Sequence, residues 1–167
     1  ADDGSSVEGW DESRGNGEAW SSKEGSLYNG SVAGSQFAYK TVVSQGYRLS
    51  QVTFFKVAAK KALGAELTIV PYNSSTGISS PTGVSLSFDP QNNGYVYVSG
   101  GEPCISGLTI SADSFDEFIV SGGKGDIWRV YRSGTLLGQC QSHATGSGNT
   151  FSVIHAGKGP AFVDYVL

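Results

Sequence analysis

Short segments of alternating polar and apolar residues, separated by glycine and proline, follow one another from Phe37 to the end of the chain. Residues 84–88, for example, read Val-Ser-Leu-Ser-Phe. A period of two residues is the pattern of a β-strand with one buried face, because successive side chains on a strand point to opposite sides. The sequence therefore predicts a protein built mainly of short strands joined by tight turns.

The strand signals are spaced closely enough to define a fold class. The only segment with helical character, Val57 to Leu67, is rich in alanine, and a strand that ends in a helical turn fits it equally well. About ten short antiparallel strands at this spacing predict an all-β fold, a β-sandwich or jelly roll, with at most one short helix. The predicted strand segments are residues 37–43, 47–58, 66–72, 83–88, 94–99, 106–110, 115–120, 126–132, 135–140, 150–155 and 160–167.

Composition indicates one folded domain preceded by an atypical segment. Residues 1–35 hold seven of the fifteen acidic residues and few aliphatic ones, which predicts a Gly/Ser-rich arm that packs on or extends from the domain, with one short strand near Trp20. Residues 36–167 are the predicted sandwich domain. A net charge of −4 with scattered basic residues argues against nucleic-acid binding. No apolar run is long enough to predict a transmembrane segment.

Two features predict a secreted, extracellular protein. The chain contains no methionine and begins Ala-Asp-Asp, as a chain does after removal of a signal peptide, although a trimmed chain would begin in the same way. Cys104 and Cys140 are an even pair, for which a disulfide is favoured over two buried free thiols in a cytosolic protein.

Motifs of common enzyme classes are absent from the sequence. There is no Gly-x-Ser-x-Gly elbow, no phosphate-binding loop and no His-Glu-x-x-His motif. Only two histidines are present, His143 and His155, so a site with several histidine ligands is excluded. A Ser–His–Asp triad stays open, because such triads are defined by geometry rather than by sequence order.

Aromatic side chains provide the stronger functional signal. Tyr95 and Tyr97 share one face of a predicted strand, and Arg129 and Tyr131 share one face of the predicted hairpin that spans residues 126–140. If the intervening valines face the core, these side chains face solvent, where aromatic rings can stack on sugars and polar tips can reach hydroxyl groups. Trp10, in the polar arm, is a candidate lid over such a ligand.

The end of the chain, Gly159-Pro-Ala-Phe-Val-Asp-Tyr-Val-Leu167, resembles the last strand of calcium-containing β-sandwich carbohydrate-binding modules. In those modules an aspartate precedes an aromatic or aliphatic pair at the C-terminus. The resemblance implies a β-sandwich that binds a glycan. It also implies a structural calcium ion near Asp164, because carboxylate oxygens are preferred calcium ligands. The sequence leaves open the alternative that an arginine or backbone amides partner Asp164 and that the protein has no cofactor.

These observations favour a secreted, non-catalytic domain of the lectin or carbohydrate-binding-module type, with a polysaccharide or other glycan as partner. One alternative is a small polysaccharide-active enzyme, a lyase or glycoside hydrolase, on the same scaffold. The other is a secreted effector, toxin or adhesin that binds a protein. Fold alone does not separate the three, since β-sandwiches host all of them. The oligomeric state is left open.

Overall fold

The computed structural model describes the backbone of residues 11–14, 21–23, 26–29, 35–41, 47–48, 53–73, 84–98, 102–122, 124–143, 147–148, 151–157 and 160–166. Side chains are described for Tyr28 and for residues 55–69, 84–98, 102–122, 125–143 and 160–163.

Within these residues the chain is almost entirely β-strand. A single turn of 3-10 helix, Lys124–Asp126, precedes the twelfth strand. None of the described segments contains a helix that is both long and apolar enough to cross a membrane. The strands are β1 (Asp11–Arg14), β2 (Ser21–Lys23), β3 (Ser26–Asn29), β4 (Ser35–Thr41), β5 (Tyr47–Arg48), β6 (Thr53–Lys61), β7 (Glu66–Asn73), β8 (Val84–Phe88), β9 (Asn93–Val98), β10 (Pro103–Thr109), β11 (Asp116–Gly122), β12 (Ile127–Arg132), β13 (Thr135–Gln141), β14 (Ser147–Gly148), β15 (Phe151–Gly157) and β16 (Ala161–Val166).

The described strands form two seven-stranded antiparallel sheets and one two-stranded ladder. The front sheet has the order β1-β4-β15-β7-β8-β9-β10, and the back sheet has the order β13-β12-β11-β6-β16-β3-β2. The ladder pairs β14 with β5. Strands β1, β2 and β3 come from the predicted arm, and they pair within both large sheets. The division of the chain at residue 35 stays a prediction.

Alternating side chains from both sheets meet in one hydrophobic core. In β9 and β12 the buried positions alternate with partly exposed ones, as a strand with one face on a core requires. Two sheets that bury such faces against each other make a β-sandwich, which confirms the predicted fold class. Among the buried side chains of this core are Phe55, Val57, Leu67, Ile69, Leu86, Phe88, Val96, Phe118, Val120, Trp128, Val130 and Val163.

The helix predicted as one possibility for Val57 to Leu67 does not form, and this segment is the end of β6, a turn and the start of β7. Strand β6 continues to Lys61, and its inward positions, such as Val57 and Ala59, are buried with the core. The chain then reverses in a short turn, where Gly64 has a φ of 87°, and enters β7. The hydrophobic alternation therefore prevails over the helix propensity of alanine, because packing against the core is worth more than intrinsic propensity.

A disulfide joins the two sheets at one side of the sandwich. Cys104 on β10 and Cys140 on β13 are bonded, with Cα atoms 5.7 Å apart, and both pack against the core. Strands β10 and β13 are the terminal strands of the front and back sheets. The predicted bridge is thus confirmed, and it fastens the two sheets together along the edge next to Tyr95, Tyr97, Arg129 and Tyr131.

Candidate functional site

Tyr95 and Tyr97 lie side by side on the outer surface of the front sheet. Gly94, Val96 and Val98 alternate with them along β9 and are buried, so the tyrosines face away from the core as the sequence predicted. The ring centroids are 6.3 Å apart, and the ring planes are inclined at 45°. Both side chains are partly exposed. They form an aromatic surface that a flat apolar ligand face can contact.

Hydroxyl groups continue this surface on the neighbouring strands. Ser85 and Ser87 on β8 lie opposite Tyr97 and Tyr95 in the strand register. Thr68 on β7 lies opposite Ser87, and their hydroxyl oxygens are 3.0 Å apart. Ser85 is only 3% exposed, whereas Ser87 and Thr68 are partly exposed. We call the side chains of Tyr95, Tyr97, Ser87 and Thr68 the tyrosine face, which leaves out the buried Ser85. It combines phenol rings with hydroxyls that donate and accept hydrogen bonds.

Asp89 directly follows β8 beside the tyrosine face, and its carboxylate accepts hydrogen bonds from four donors. One carboxylate oxygen accepts hydrogen bonds from the backbone N–H groups of Gln91 and Asn93, both at 2.9 Å. The other accepts them from the Asn93 side-chain amide and the Tyr95 hydroxyl, both at 3.3 Å. Desolvation acts to raise the pKa of Asp89, but these hydrogen bonds outweigh it and the net pKa is lowered. Asp89 is therefore a carboxylate at neutral pH.

The same contact affects Tyr95. Desolvation raises the pKa of the Tyr95 hydroxyl, and the negative charge of Asp89, the hydrogen bond to it and the neighbouring Tyr97 raise it further. The hydroxyl therefore stays protonated and remains a donor. Its bond to Asp89 fixes one end of the Tyr95 ring, so the aromatic surface is partly ordered before any ligand arrives.

Arg129 and Tyr131 lie on the opposite outer surface. Trp128 and Val130 alternate with them on β12 and are buried, which leaves both predicted residues partly exposed on the outside of the back sheet. The indole Nε1–H of Trp128 donates to the Ser142 carbonyl at 3.0 Å. The two predicted pairs are thus separated by the full thickness of the sandwich, and they cannot contact one small ligand together.

The remaining predicted site residues fall outside the described side chains. Trp10 lies outside the described residues altogether. The backbone of Asp164 belongs to β16, where the register to β6 shifts between Val163 and Tyr165, and its side chain is not described. Within the described part of the chain, no three His, Cys, Asp or Glu side chains lie close enough together to hold a metal ion. The calcium site at Asp164 stays a prediction.

A row of side chains that the sequence did not predict crosses the outside of the back sheet. It consists of Tyr28, Phe162, Lys60 and Phe115, which come from β3, β16, β6 and the residue before β11. We call it the lysine–aromatic row. The residues are far apart in the chain, so only the strand register brings them together. The one available signal was the pair of lysines, Lys56 and Lys60, on the outward side of β6.

Comparison with known proteins supports the fold at low sequence identity. No protein-family profile matches the sequence, and no curated protein sequence matches it. The carbohydrate recognition domain of Emp47p is similar in structure, with a TM-score of 0.65 and 11% identity over 95% of this chain and 87% of that one. The carbohydrate binding module CBM66 from Bacillus subtilis has a TM-score of 0.62 and 13% identity over 95% and 93% of the two chains.

An enzyme shares the same architecture. The β-glucanase of Bacillus licheniformis has a TM-score of 0.59 and 13% identity, and the match covers 94% of this chain and 90% of that one. The chain is therefore a β-sandwich of the kind found in carbohydrate-binding domains and in glycoside hydrolases. At these identities the likeness establishes the fold and leaves the activity to the residues of this chain.

Proposed function

We propose that this protein is a non-catalytic carbohydrate-binding domain that binds a neutral glycan on its tyrosine face. The observation that carries the proposal is the pair of outward rings, Tyr95 and Tyr97, whose centroids are 6.3 Å apart on a surface lined with hydroxyls. Tyrosine presents an apolar ring face to the C–H side of a sugar and a hydroxyl to its edge. The similarity to carbohydrate-binding domains supports the same ligand class.

Residues of this surface favour binding over hydrolysis. A glycosidase uses two carboxyl groups on either side of the scissile bond, and one of them needs a raised pKa to act as general acid. The tyrosine face itself carries hydroxyls and phenols, and the nearest described carboxylate is Asp89. Its lowered pKa makes it a poor proton donor at neutral pH. The Cys104–Cys140 bridge is consistent with an oxidising compartment, and we therefore propose an extracellular location.

Replacement of Tyr97 by alanine tests the proposal. Tyr97 is the better choice because the Tyr95 hydroxyl also donates to Asp89. Neutral oligosaccharides that bind the wild type on a glycan array are titrated calorimetrically. We expect Tyr97→Ala to weaken binding about tenfold or more, which corresponds to the loss of about 1.4 kcal/mol from one stacking contact. Tyr131→Ala, which removes the same side chain from the back sheet, is the matched control and is expected to bind normally.

Two results would contradict the proposal. If Tyr131→Ala abolishes binding while Tyr97→Ala does not, the glycan binds the opposite surface. If the purified wild type releases reducing ends from a polysaccharide that it binds, the protein is a hydrolase on this scaffold. Near-ultraviolet circular dichroism of both variants confirms that the fold is intact.

A further inference from the structure

The lysine–aromatic row forms a cation between two aromatic rings on the outside of the back sheet. The Lys60 ammonium lies 4.9 Å from the ring centroid of Phe115 and 4.7 Å from that of Phe162. The two phenylalanine rings are nearly perpendicular, at 86°, with centroids 6.5 Å apart. The Tyr28 ring extends the row beyond Phe162 at 4.7 Å. Together these side chains make a corner of two apolar faces with a positive charge at the junction.

The charge at this corner has no acidic partner among the described residues. Lys56, on the same side of β6, lies 3.1 Å from a carboxylate oxygen of Glu117, whereas the Lys60 ammonium lies over the Phe115 and Phe162 rings. Phe115 is 39% exposed, so part of its ring is accessible to a ligand. An exposed ring and an ammonium without a carboxylate are complementary to a ligand that has an apolar face and a negative charge.

We propose that the lysine–aromatic row is a second binding site, specific for acidic saccharides, with a uronic acid carboxylate on Lys60 and the sugar ring on Phe115. The Tyr28 and Phe162 ring centroids are 4.7 Å apart and those of Phe162 and Phe115 are 6.5 Å apart, so the row spans at most about 11 Å from the first ring to the last. That length accommodates a short oligosaccharide laid across the sheet. Its carboxylate accepts charge-assisted hydrogen bonds from the ammonium, and its C–H faces contact the rings.

The sheet topology favours a saccharide over an acidic peptide. Peptides that bind β-proteins in extended form usually pair their backbone with an open strand edge. Strand β6 is paired with β11 and β16 on its two sides, and β16 is paired with β6 and β3. A ligand on this row therefore contacts side chains and not unpaired strand backbone. This favours a ligand that is recognised by its ring faces and its charge.

Calorimetric titration with oligogalacturonate tests the site, with the carboxyl-reduced neutral oligomer of the same length for comparison. We expect the wild type to bind the acidic oligomer about tenfold more tightly than the neutral one at physiological salt. Lys60→Gln should remove this preference, and Phe115→Ala should weaken binding of the acidic oligomer about tenfold. Lys56→Gln removes the same charge from the same side of the same strand and should retain the preference. Tyr97→Ala should also retain it, which separates this site from the tyrosine face.

Several outcomes would overturn the inference. The inference is wrong if the wild type does not bind oligogalacturonate. It is also wrong if Lys60→Gln and Lys56→Gln lose the preference for the acidic oligomer equally, or if a polyglutamate peptide binds as tightly as the oligosaccharide. Because Phe115 is exposed, Phe115→Ala leaves the core unchanged and decides the question if Lys60→Gln fails to fold. Loss of neutral glycan binding in Tyr97→Ala bears only on the proposed function.

Discussion

Lys61 is a fully buried cation at the end of β6, and its replacement by methionine should change how stability depends on pH. The side chain is 0% exposed. Its ammonium donates to the Ala62 carbonyl at 3.3 Å and to the Asn92 side-chain oxygen. The Asn92 amide in turn donates to the Ile110 carbonyl at 3.2 Å. This network joins the turn after β6, the turn after β8 and the end of β10 inside the protein.

The magnitude follows from the pKa of the buried amine. Burial lowers the pKa of Lys61 from 10.5 to about 8, although the charges of Asp89 and Glu66 act in the opposite direction. Each pKa unit corresponds to about 1.4 kcal/mol, so keeping the amine charged in the folded state costs about 3 kcal/mol below pH 8. Between about pH 8 and pH 10.5 the unfolded chain binds more protons than the folded one. The contribution of Lys61 to the free energy of unfolding therefore rises with pH across this window.

Urea unfolding followed by tryptophan fluorescence measures the effect, since Trp128 is fully buried. From about pH 7.5 to about pH 10.5 the wild type should gain about 3 kcal/mol of unfolding free energy relative to Lys61→Met, whose methionine does not titrate. At neutral pH the variant avoids a buried charge but leaves the Asn92 oxygen without its donor, at a cost of about 1 to 3 kcal/mol. The absolute difference there should be small.

Other titrating groups are common to both proteins and cancel in the difference. Lys60→Met removes one positive charge from the outward side of the same strand and controls for net charge. If the wild type and Lys61→Met give parallel curves of unfolding free energy against pH, the lysine is not buried as a charged group and the reasoning is wrong.

Two further predictions concern the packing beneath the tyrosine face. Replacing both Cys104 and Cys140 by serine opens a loop with a sequence separation of 36 residues and should lower the free energy of unfolding by about 4 kcal/mol in the chain-entropy model. Urea titration under non-reducing conditions measures this free energy, and a decrease below about 1 kcal/mol would contradict the prediction. Gly94→Ala should destabilise by about 2 kcal/mol, because a Cβ atom there would lie 2.6 Å from Phe88 Cε1 and 2.7 Å from Leu108 Cβ; a thermal midpoint equal to that of the wild type would show that the core accommodates the methyl group.

Local patterns predicted most of the strands after residue 35 and the direction of side chains along them, but not β1, β3 and β14, which lie outside the predicted segments. The alternation of valine and tyrosine in β9 was sufficient to place Tyr95 and Tyr97 outside, since a strand with one buried face leaves no other choice. The same reasoning oriented Trp128 and Val130 correctly. It failed at the end of β6, where consecutive alanines resemble a helix and only the fit against both neighbouring strands decides the conformation.

Side-chain contacts between neighbouring strands of a sheet could not be predicted from these patterns. The lysine–aromatic row joins residues 28, 60, 115 and 162 through pairings between strands that are distant in the chain. The hydrogen bonds that Asp89 accepts from the backbone N–H groups of Gln91 and Asn93 likewise depend on the conformation of the turn. Such contacts depend on strand order and register, which are set by the packing of the whole sandwich rather than by any local segment.

The opposite placement of the two candidate surfaces determines how the two proposed ligands would be bound relative to each other. Tyr97 lies on the outside of the front sheet and Lys60 on the outside of the back sheet, and the core that separates them is about 10 Å thick between sheets. A stiff polysaccharide chain bound on one surface therefore cannot reach the other. A protein molecule with both proposed sites occupied would link two separate polysaccharide chains. For the same reason no side chain is shared between the surfaces. Substitutions at Tyr97 and Lys60 should thus act additively, because they are separated and have no common partner.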